Sequence, residues 1–233
     1  MDEWDIYQTD EVAAWLRELQ GSDPKTADLV DDAIYTLSRS GPALGRPLVD
    51  TITNSKIANL KELRPGSRGR SEVRILFVFD PWRSAILLVA GDKPGSWNKW
   101  YARMIPRADQ LCEIYLKERA AEGRQPVTSY TKRDSDAYIE RVGGPEEAER
   151  RRKTLMARQS GQRLADERKQ RGLTQAQLAQ IIGVTPGRVS QIERGELSTI
   201  EAIARYVQAL GGRLDLVANF ADHTLTVTTT DAV

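Results

Sequence analysis

Apolar positions along the chain follow two regimes. Up to about residue 122 they switch between helical and strand spacing, and from about residue 160 they are helical until two short alternating runs near the end. Asp5 to Thr9 reads as a short strand, after which Val12, Trp15, Leu16 and Leu19 recur at helical steps. Pro24 suits the first turn of a second helix with Val30, Ala33, Ile34 and Leu37 on its buried stripe. Gly41-Pro42 ends that helix, so two helices pair antiparallel. From Lys56 the period shortens to two. Ile57 to Arg64, Val73 to Phe79 and Ala85 to Ala90 predict a three-stranded antiparallel meander, broken by a turn rich in Gly and Arg (Pro65 to Arg70) and by Asp80-Pro81. Trp97, Trp100, Tyr101 and Met104 return to helical steps, and Pro106 is read as restarting a helix that runs through Leu111, Ile114 and Tyr115. The order strand, two helices, antiparallel strands, helix predicts an α+β domain over residues 1–122.

Residues 123–159 are expected to form a linker and a polar helical segment. Gly123 to Tyr130 contains Pro126 and Ser129, and Glu146 to Gln159 carries Arg150, Arg151, Arg152 and Lys153. Residues 160–233 predict an all-α domain with a C-terminal β-ribbon. Leu164 and Ala165 lie on a first helix ending at Arg171-Gly172. Thr174 opens a second, with Gln177 completing a Thr-x-x-Gln capping box. Leu178, Ala179 and Ile182 face inward, and Gly183 supplies a turn that tolerates positive φ. Thr185 caps a third helix with Pro186 in its first turn and Val189 and Ile192 inside. Ala179 leaves room for two steeply crossing backbones, so the pattern is that of a helix-turn-helix. After a helix carrying Ile200, Ile203, Ala204 and Val207, the pair Gly211-Gly212 stops helical structure, and two alternating runs around Leu216 and Leu225 follow. A two-stranded ribbon alone is marginal in water, so a homodimer through these C-terminal strands is expected.

Composition narrows the chemistry. The 233 residues suffice for two modest domains, and no apolar run approaches the roughly 20 residues that span a bilayer. The N-terminus is acidic and unlike a signal peptide, so a cytoplasmic protein with no membrane partner is expected. One cysteine, Cys112, and one histidine, His223, leave neither a disulfide nor a Cys/His zinc set, so no metal or cofactor is expected. The net charge of +1 hides a gradient: residues 1–50 hold four Lys/Arg against eleven Asp/Glu, and residues 51–125 fourteen against eight. A basic segment after an acidic one suggests a polyanion site in the middle of the chain, although solvated charged faces are the commoner cause of such runs.

If the third helix enters a major groove, exposed residues near its N-terminus reach base edges and capping residues meet phosphates. Arg188 and Gln191 are the expected base readers, because Arg pairs bidentately with guanine and Gln with adenine. Gly187 and Ser190 permit close approach, and Thr185 and Gln175 sit where helix N-termini meet phosphate. A dimer would set two such helices at half-sites roughly 34 Å apart. The competing reading is a plain helical hairpin without DNA affinity.

The run Gln175 to Gly195 (QAQLAQIIGVTPGRVSQIERG) resembles the helix-turn-helix of phage-repressor-like regulators, over about Ser160 to Leu210. Lys56 to Gly66 (KIANLKELRPG), Ser71 to Pro81 (SEVRILFVFDP) and Ala85 to Asp109 (AILLVAGDKPGSWNKWYARMIPRAD) resemble the RelE/HigB toxin superfamily, closest to its phage-derived HigB-like branch. HigA-type antitoxins are repressor-like helix-turn-helix proteins, so the resemblance implies a toxin and its antitoxin on one chain. It further implies a RelE-like fold and a metal-independent ribonuclease that cleaves messenger RNA, usually on the ribosome, through the substrate's own 2′-hydroxyl. Such chemistry needs a base, cations for the pentavalent phosphate and an acid for the leaving oxygen. Arg64 and Arg74 are then expected as phosphate clamps, and Lys93 or Lys99 as proton-transfer or charge-stabilising groups. Tyr101 joins them, and Lys61, Arg68, Arg70 and Trp97 are expected to hold RNA. Glu62 or Glu72 as a structural partner for Arg64, and core roles for the aromatics, are the bland alternatives. The implied whole is a fused toxin–antitoxin protein whose two halves bind each other, with Tyr138 to Arg158 as the candidate mask over the ribonuclease, and whose antitoxin half represses its own operator DNA. The alternative is a transcriptional regulator with an inactive toxin-like interaction domain; a third reading is a sequence-independent RNA-binding protein.

Overall fold

The computed structural model describes residues 3–66, 72–92, 97–122, 130–197, 199–219 and 224–228. Arg68, Arg70, Lys93, His223 and the side chain of Trp97 lie outside the described residues. Contacts divide the chain into two compact units, Met1–Arg152 and Lys153–Val233.

The first unit is a six-stranded sheet with helices on both faces. β1 (Asp5–Thr9) leads into α1 (Asp10–Ser22) and α2 (Pro24–Ser40); β2 (Val49–Thr51), β3 (Lys61–Leu63), β4 (Arg74–Phe79) and β5 (Ser84–Gly91) follow, then α3 (Trp97–Ala120), β6 (Tyr130–Lys132) and α4 (Ser135–Val142). The sheet order is β2-β3-β4-β5-β1-β6. The expected meander is present as antiparallel β3, β4 and β5; β1 lies parallel to β5, and β6 runs antiparallel to β1 at the edge. Local chemistry sets the helix starts. The Thr9 hydroxyl accepts from the Val12 amide at 3.3 Å, and Asp23 caps α2 by accepting from the Thr26 amide at 3.1 Å.

Strand alternation separates the two helical layers. Tyr7, Leu76, Val78, Ile86 and Leu88 pack with Trp100, Leu111 and Tyr115 of α3. Ile6, one residue before Tyr7, faces Ile34 and Tyr35 of α2. Val30, Ile34 and Leu37 are each at most 2% exposed, which contributes about 1.5–3 kcal/mol apiece.

Two expectations are revised in this unit. Pro106 does not restart a helix: α3 runs unbroken from Trp97 to Ala120 with Pro106 inside it. The Ala102 carbonyl that loses its donor sits on the exposed side of the helix, where water can satisfy it, while Ala108, Leu111 and Tyr115 anchor the other side. The unit also continues well past residue 122. Residues 123–129 of the expected linker lie outside the described residues, but Tyr130 is buried, with its ring centroid 5.5 Å from Tyr7 and 4.6 Å from Tyr115. α4, capped by Asp134 and closed by left-handed Gly143, packs on α2.

The second unit carries the expected helix-turn-helix. α5 (Pro145–Gln170) is one helix that starts in the first unit and ends in the second, where two separate helical stretches were expected. α6 (Gln175–Ile182), α7 (Pro186–Glu193) and α8 (Ile200–Ala209) follow, then the ribbon β7 (Asp215–Asn219) and β8 (Thr224–Thr228). Gly183 ends α6 at φ 68° and ψ 36°, and the capping box of Thr174 and Gln177 is formed. Leu178, Ala179, Val189, Ile192 and Tyr206 make the core. Among the described residues no helix is long and apolar enough to cross a membrane.

Candidate nucleic-acid interfaces

The site in the first unit is organised by Glu62, at the middle of β3 and 0% exposed. Its pleat position turns it toward α3, whose Tyr101 hydroxyl donates to Oε2, while the Arg64 Nε donates to Oε1. Arg74, at the start of β4, brings its Nε to 3.7 Å from the same Oε1. Arg64 also reaches Asp50 of β2 at 2.8 Å, and Asp50 holds Arg46 at 2.9 Å. Burial raises the Tyr101 pKa, and the Glu62 hydrogen bond and charge raise it further, so the phenol is protonated at neutral pH. Burial works against the Arg64 charge, but Glu62 and Asp50 outweigh it and its pKa rises. Arg64 and Tyr101 line an open groove of about 1220 Å³ between α3 and the connection from β2 to β3. Asp109 of α3 fastens that connection, accepting from Ser55 Oγ at 2.6 Å and from the Lys56 amide at 3.2 Å.

Three of the five expected catalytic residues, Arg64, Arg74 and Tyr101, therefore meet around one carboxylate. Lys99 is exposed on the first turn of α3, two residues from Tyr101 and so on a different side of the helix. Lys61 points to the other side of β3 from Glu62 and donates to Thr51 Oγ1 at 3.1 Å, away from the cluster. Trp100 is a core residue, 8% exposed and edge-on to Tyr101 at 5.1 Å.

In the second unit the turn at Gly183 leaves Thr185, Gly187, Arg188 and Gln191 exposed on α7 and its cap, with Ser190 half-buried. Thr185 accepts from the Arg188 amide at 3.2 Å. Beneath this surface Glu193, the last residue of α7, is buried and gripped by Arg168 of α5 at 2.6 and 3.0 Å, and it accepts from the Tyr206 hydroxyl at 2.6 Å. Gln175 donates its amide to Glu193 Oε2 at 2.8 Å, so its side chain braces α7 in addition to lying at the N-terminus of α6. Burial would raise the Glu193 pKa, but these three donors outweigh it and hold the carboxyl below the usual glutamate value. Close backbone contact seats α7 on α5: a Cβ on Gly161 would lie 2.5 Å from the Glu193 carbonyl oxygen, and one on Gly195 2.4 Å from the Ala157 carbonyl.

Residues 17–113 match the family model described as phage-derived protein Gp49-like, and residues 164–217 match a helix-turn-helix model. Three relatives come from Mycobacterium tuberculosis. HigB3, named as a toxin, is 49% identical over 40% of this chain and 80% of its own length. HigB2, also named as a toxin, is 53% identical over 46% of this chain but only 52% of its own length, so the chain spans about half of that relative. HigA2, named as an antitoxin, is 33% identical over 42% of this chain and 96% of its own length. The chain belongs to the HigB and HigA families, a HigB-like toxin domain followed by a HigA-like antitoxin domain.

The HigB-like match encloses Glu62, Arg64, Arg74 and Tyr101, and the helix-turn-helix match encloses Arg188, Gln191 and Glu193. Glu62 is one of the two structural partners that the sequence offers for Arg64, and the structure forms that pair; Glu193 is the organising residue that the sequence reading does not name. The expected mask over the HigB-like site is not formed by residues 138–152. They pack on α2, and the Glu62 cluster lies on the α3 side of the sheet.

Proposed function

We propose that this chain is a fused type II toxin–antitoxin protein. Its HigB-like domain is a metal-independent messenger RNA endoribonuclease, acting on RNA at the ribosome in the cytoplasm. Its HigA-like domain holds that activity in check, binds the operator of its own gene and represses transcription. The observation that carries the ribonuclease reading is the meeting of Arg64, Arg74 and Tyr101 around Glu62, with Arg64 and Tyr101 lining a groove large enough for nucleotides. In this reading a scissile phosphate sits against Arg64 and Arg74, whose guanidiniums offset the charge of the pentavalent state as the 2′-oxygen attacks. Tyr101, held protonated, hydrogen-bonds a phosphate or leaving oxygen. Lys93 or Lys99 exchanges the protons. Lys61, Arg68, Arg70 and Trp97 hold the flanking RNA.

On the DNA side, Arg188 and Gln191 read bases, and Thr185, Gly187, Ser190 and Gln175 fit the backbone. A homodimer through β7 and β8 supplies two such helices, which fits the half-exposed Val217 and Leu225 on that ribbon.

RNA breakdown by the unit Met1–Arg152 tests the enzyme: the wild type should degrade messenger RNA, and Arg64→Ala with Arg74→Ala should lose at least about a hundredfold in rate. A folded wild-type unit that leaves RNA intact would establish the alternative, a transcriptional regulator with an inactive toxin-like domain, which is favoured by the way Glu62 and Asp50 already neutralise Arg64. A gel shift of the full chain on its own upstream DNA, lost in Arg188→Ala with Gln191→Ala, tests the repressor. Binding that falls steeply with salt but shows no preference for that DNA would instead indicate a sequence-independent nucleic-acid binder.

A further inference from the structure

The acidic face of α2 and the outer edge of β1 are occupied by a segment that lies on the antitoxin side of residues 123–129. β6 adds to β1 with Tyr7 opposite Lys132 and Thr9 opposite Tyr130, and the Arg133 amide donates to the Ile6 carbonyl at 2.7 Å. Arg133 and Arg141 both close on Asp31, whose side chain is 2% exposed, and Arg141 also reaches Asp28 at 2.7 Å. Tyr138 stacks on Tyr35 at 4.9 Å and donates to Asp32 at 2.8 Å, and Arg151 of α5 lies 3.6 Å from the same Asp32. The likeness to HigA2 extends over 99 residues, more than the second unit contains.

We infer that residues 130–152 are a docking clasp of the antitoxin half, and that the β1 edge with Asp28, Asp31 and Asp32 is the surface by which the toxin half binds it without needing the covalent connection. The clasp combines two recognition modes. Strand addition supplies main-chain hydrogen bonds, and the arginines supply specificity, because an α2 without its aspartates would leave them unpaired against the helix. The Glu62 groove lies on the other side of the sheet, so the clasp fastens the halves together and leaves the groove uncovered. This rests on the toxin–antitoxin reading for its naming of the halves, but its test uses neither RNA nor DNA.

A protease site placed within residues 123–129 of the full chain allows the connection to be cut in the folded protein. After cutting, the two pieces should co-elute on size exclusion at 0.15 M ionic strength, and an excess of peptide spanning residues 130–152 should release the C-terminal piece, whereas a scrambled peptide should not. Tyr138→Ala with Arg141→Glu should weaken the association about thirtyfold or more. Asp28→Arg should recover part of that loss by restoring an opposite charge to Arg141→Glu, which separates a lost contact from a misfolded chain. Pieces of the wild type that part on cutting, or that stay together in the presence of the peptide and in the variant alike, would overturn the clasp. A cut chain that stays clasped yet never degrades RNA would sink the ribonuclease and leave the clasp standing.

Discussion

Two buried carboxylates set the terms at the scale of single residues. Glu62 is fully buried and faces two arginines and a phenol, so Glu62→Gln leaves guanidinium charge uncompensated and should cost about 3 kcal/mol in urea unfolding of the full chain. The same substitution should bring the Tyr101 titration down toward an ordinary tyrosine in an ultraviolet pH titration, because the Glu62 hydrogen bond and charge are gone while burial remains. Glu193 gives a pH signature. Its folded pKa lies below the ordinary value of 4.5, so its stabilisation is complete above that value and is lost as pH falls through the depressed one. Thermal melts between pH 6 and pH 3 should show the wild type losing more stability on acidification than Glu193→Gln; parallel losses would remove Glu193 as the cause. From the sequence Glu62 is legible only as a possible partner for Arg64 and Glu193 not at all, because a glutamate among mixed polar and apolar neighbours reads equally as a solvated face until the donors around it are known.

At the scale of elements, glycines separate turn chemistry from packing. Gly183 is left-handed with open space where a Cβ would go, so Gly183→Ala should cost about 1 kcal/mol of backbone strain and leave operator binding intact. Gly161 is pressed on the carbonyls of Ile192 and Glu193, so Gly161→Ala must push α7 off α5 and should cost about 1–3 kcal/mol with loss of the gel shift. The pair α6 and α7 was legible because its caps, Thr174 and Thr185, and its turn, Gly183, are local signals. β6 and α4 were not. Three residues of strand carry almost no periodicity, and what holds them, Tyr130 between Tyr7 and Tyr115 and arginines on α2, is distant in sequence. Pro106 misled for the opposite reason: a local rule against proline inside helices was overridden by the packing of α3 on the sheet.

At the scale of the molecule, two units of known family share one chain, and the ribbon of the second unit is the surface proposed for self-association. Val217 and Leu225 stand 56% and 50% exposed on β7 and β8. If the ribbon pairs with its copy, Val217→Asp should shift sedimentation from dimer toward monomer and weaken operator binding about tenfold or more. An unchanged sedimentation profile would place the contact elsewhere. The position of β6 has a consequence for biosynthesis. Everything through α3 leaves the ribosome before the strand that completes the β1 edge, and at about 5–20 residues per second the translating machinery supplies that strand within seconds. A nascent toxin-like domain thus spends only that interval with a bare edge, and every copy meets its own clasp at one-to-one stoichiometry, whatever the abundance of the message.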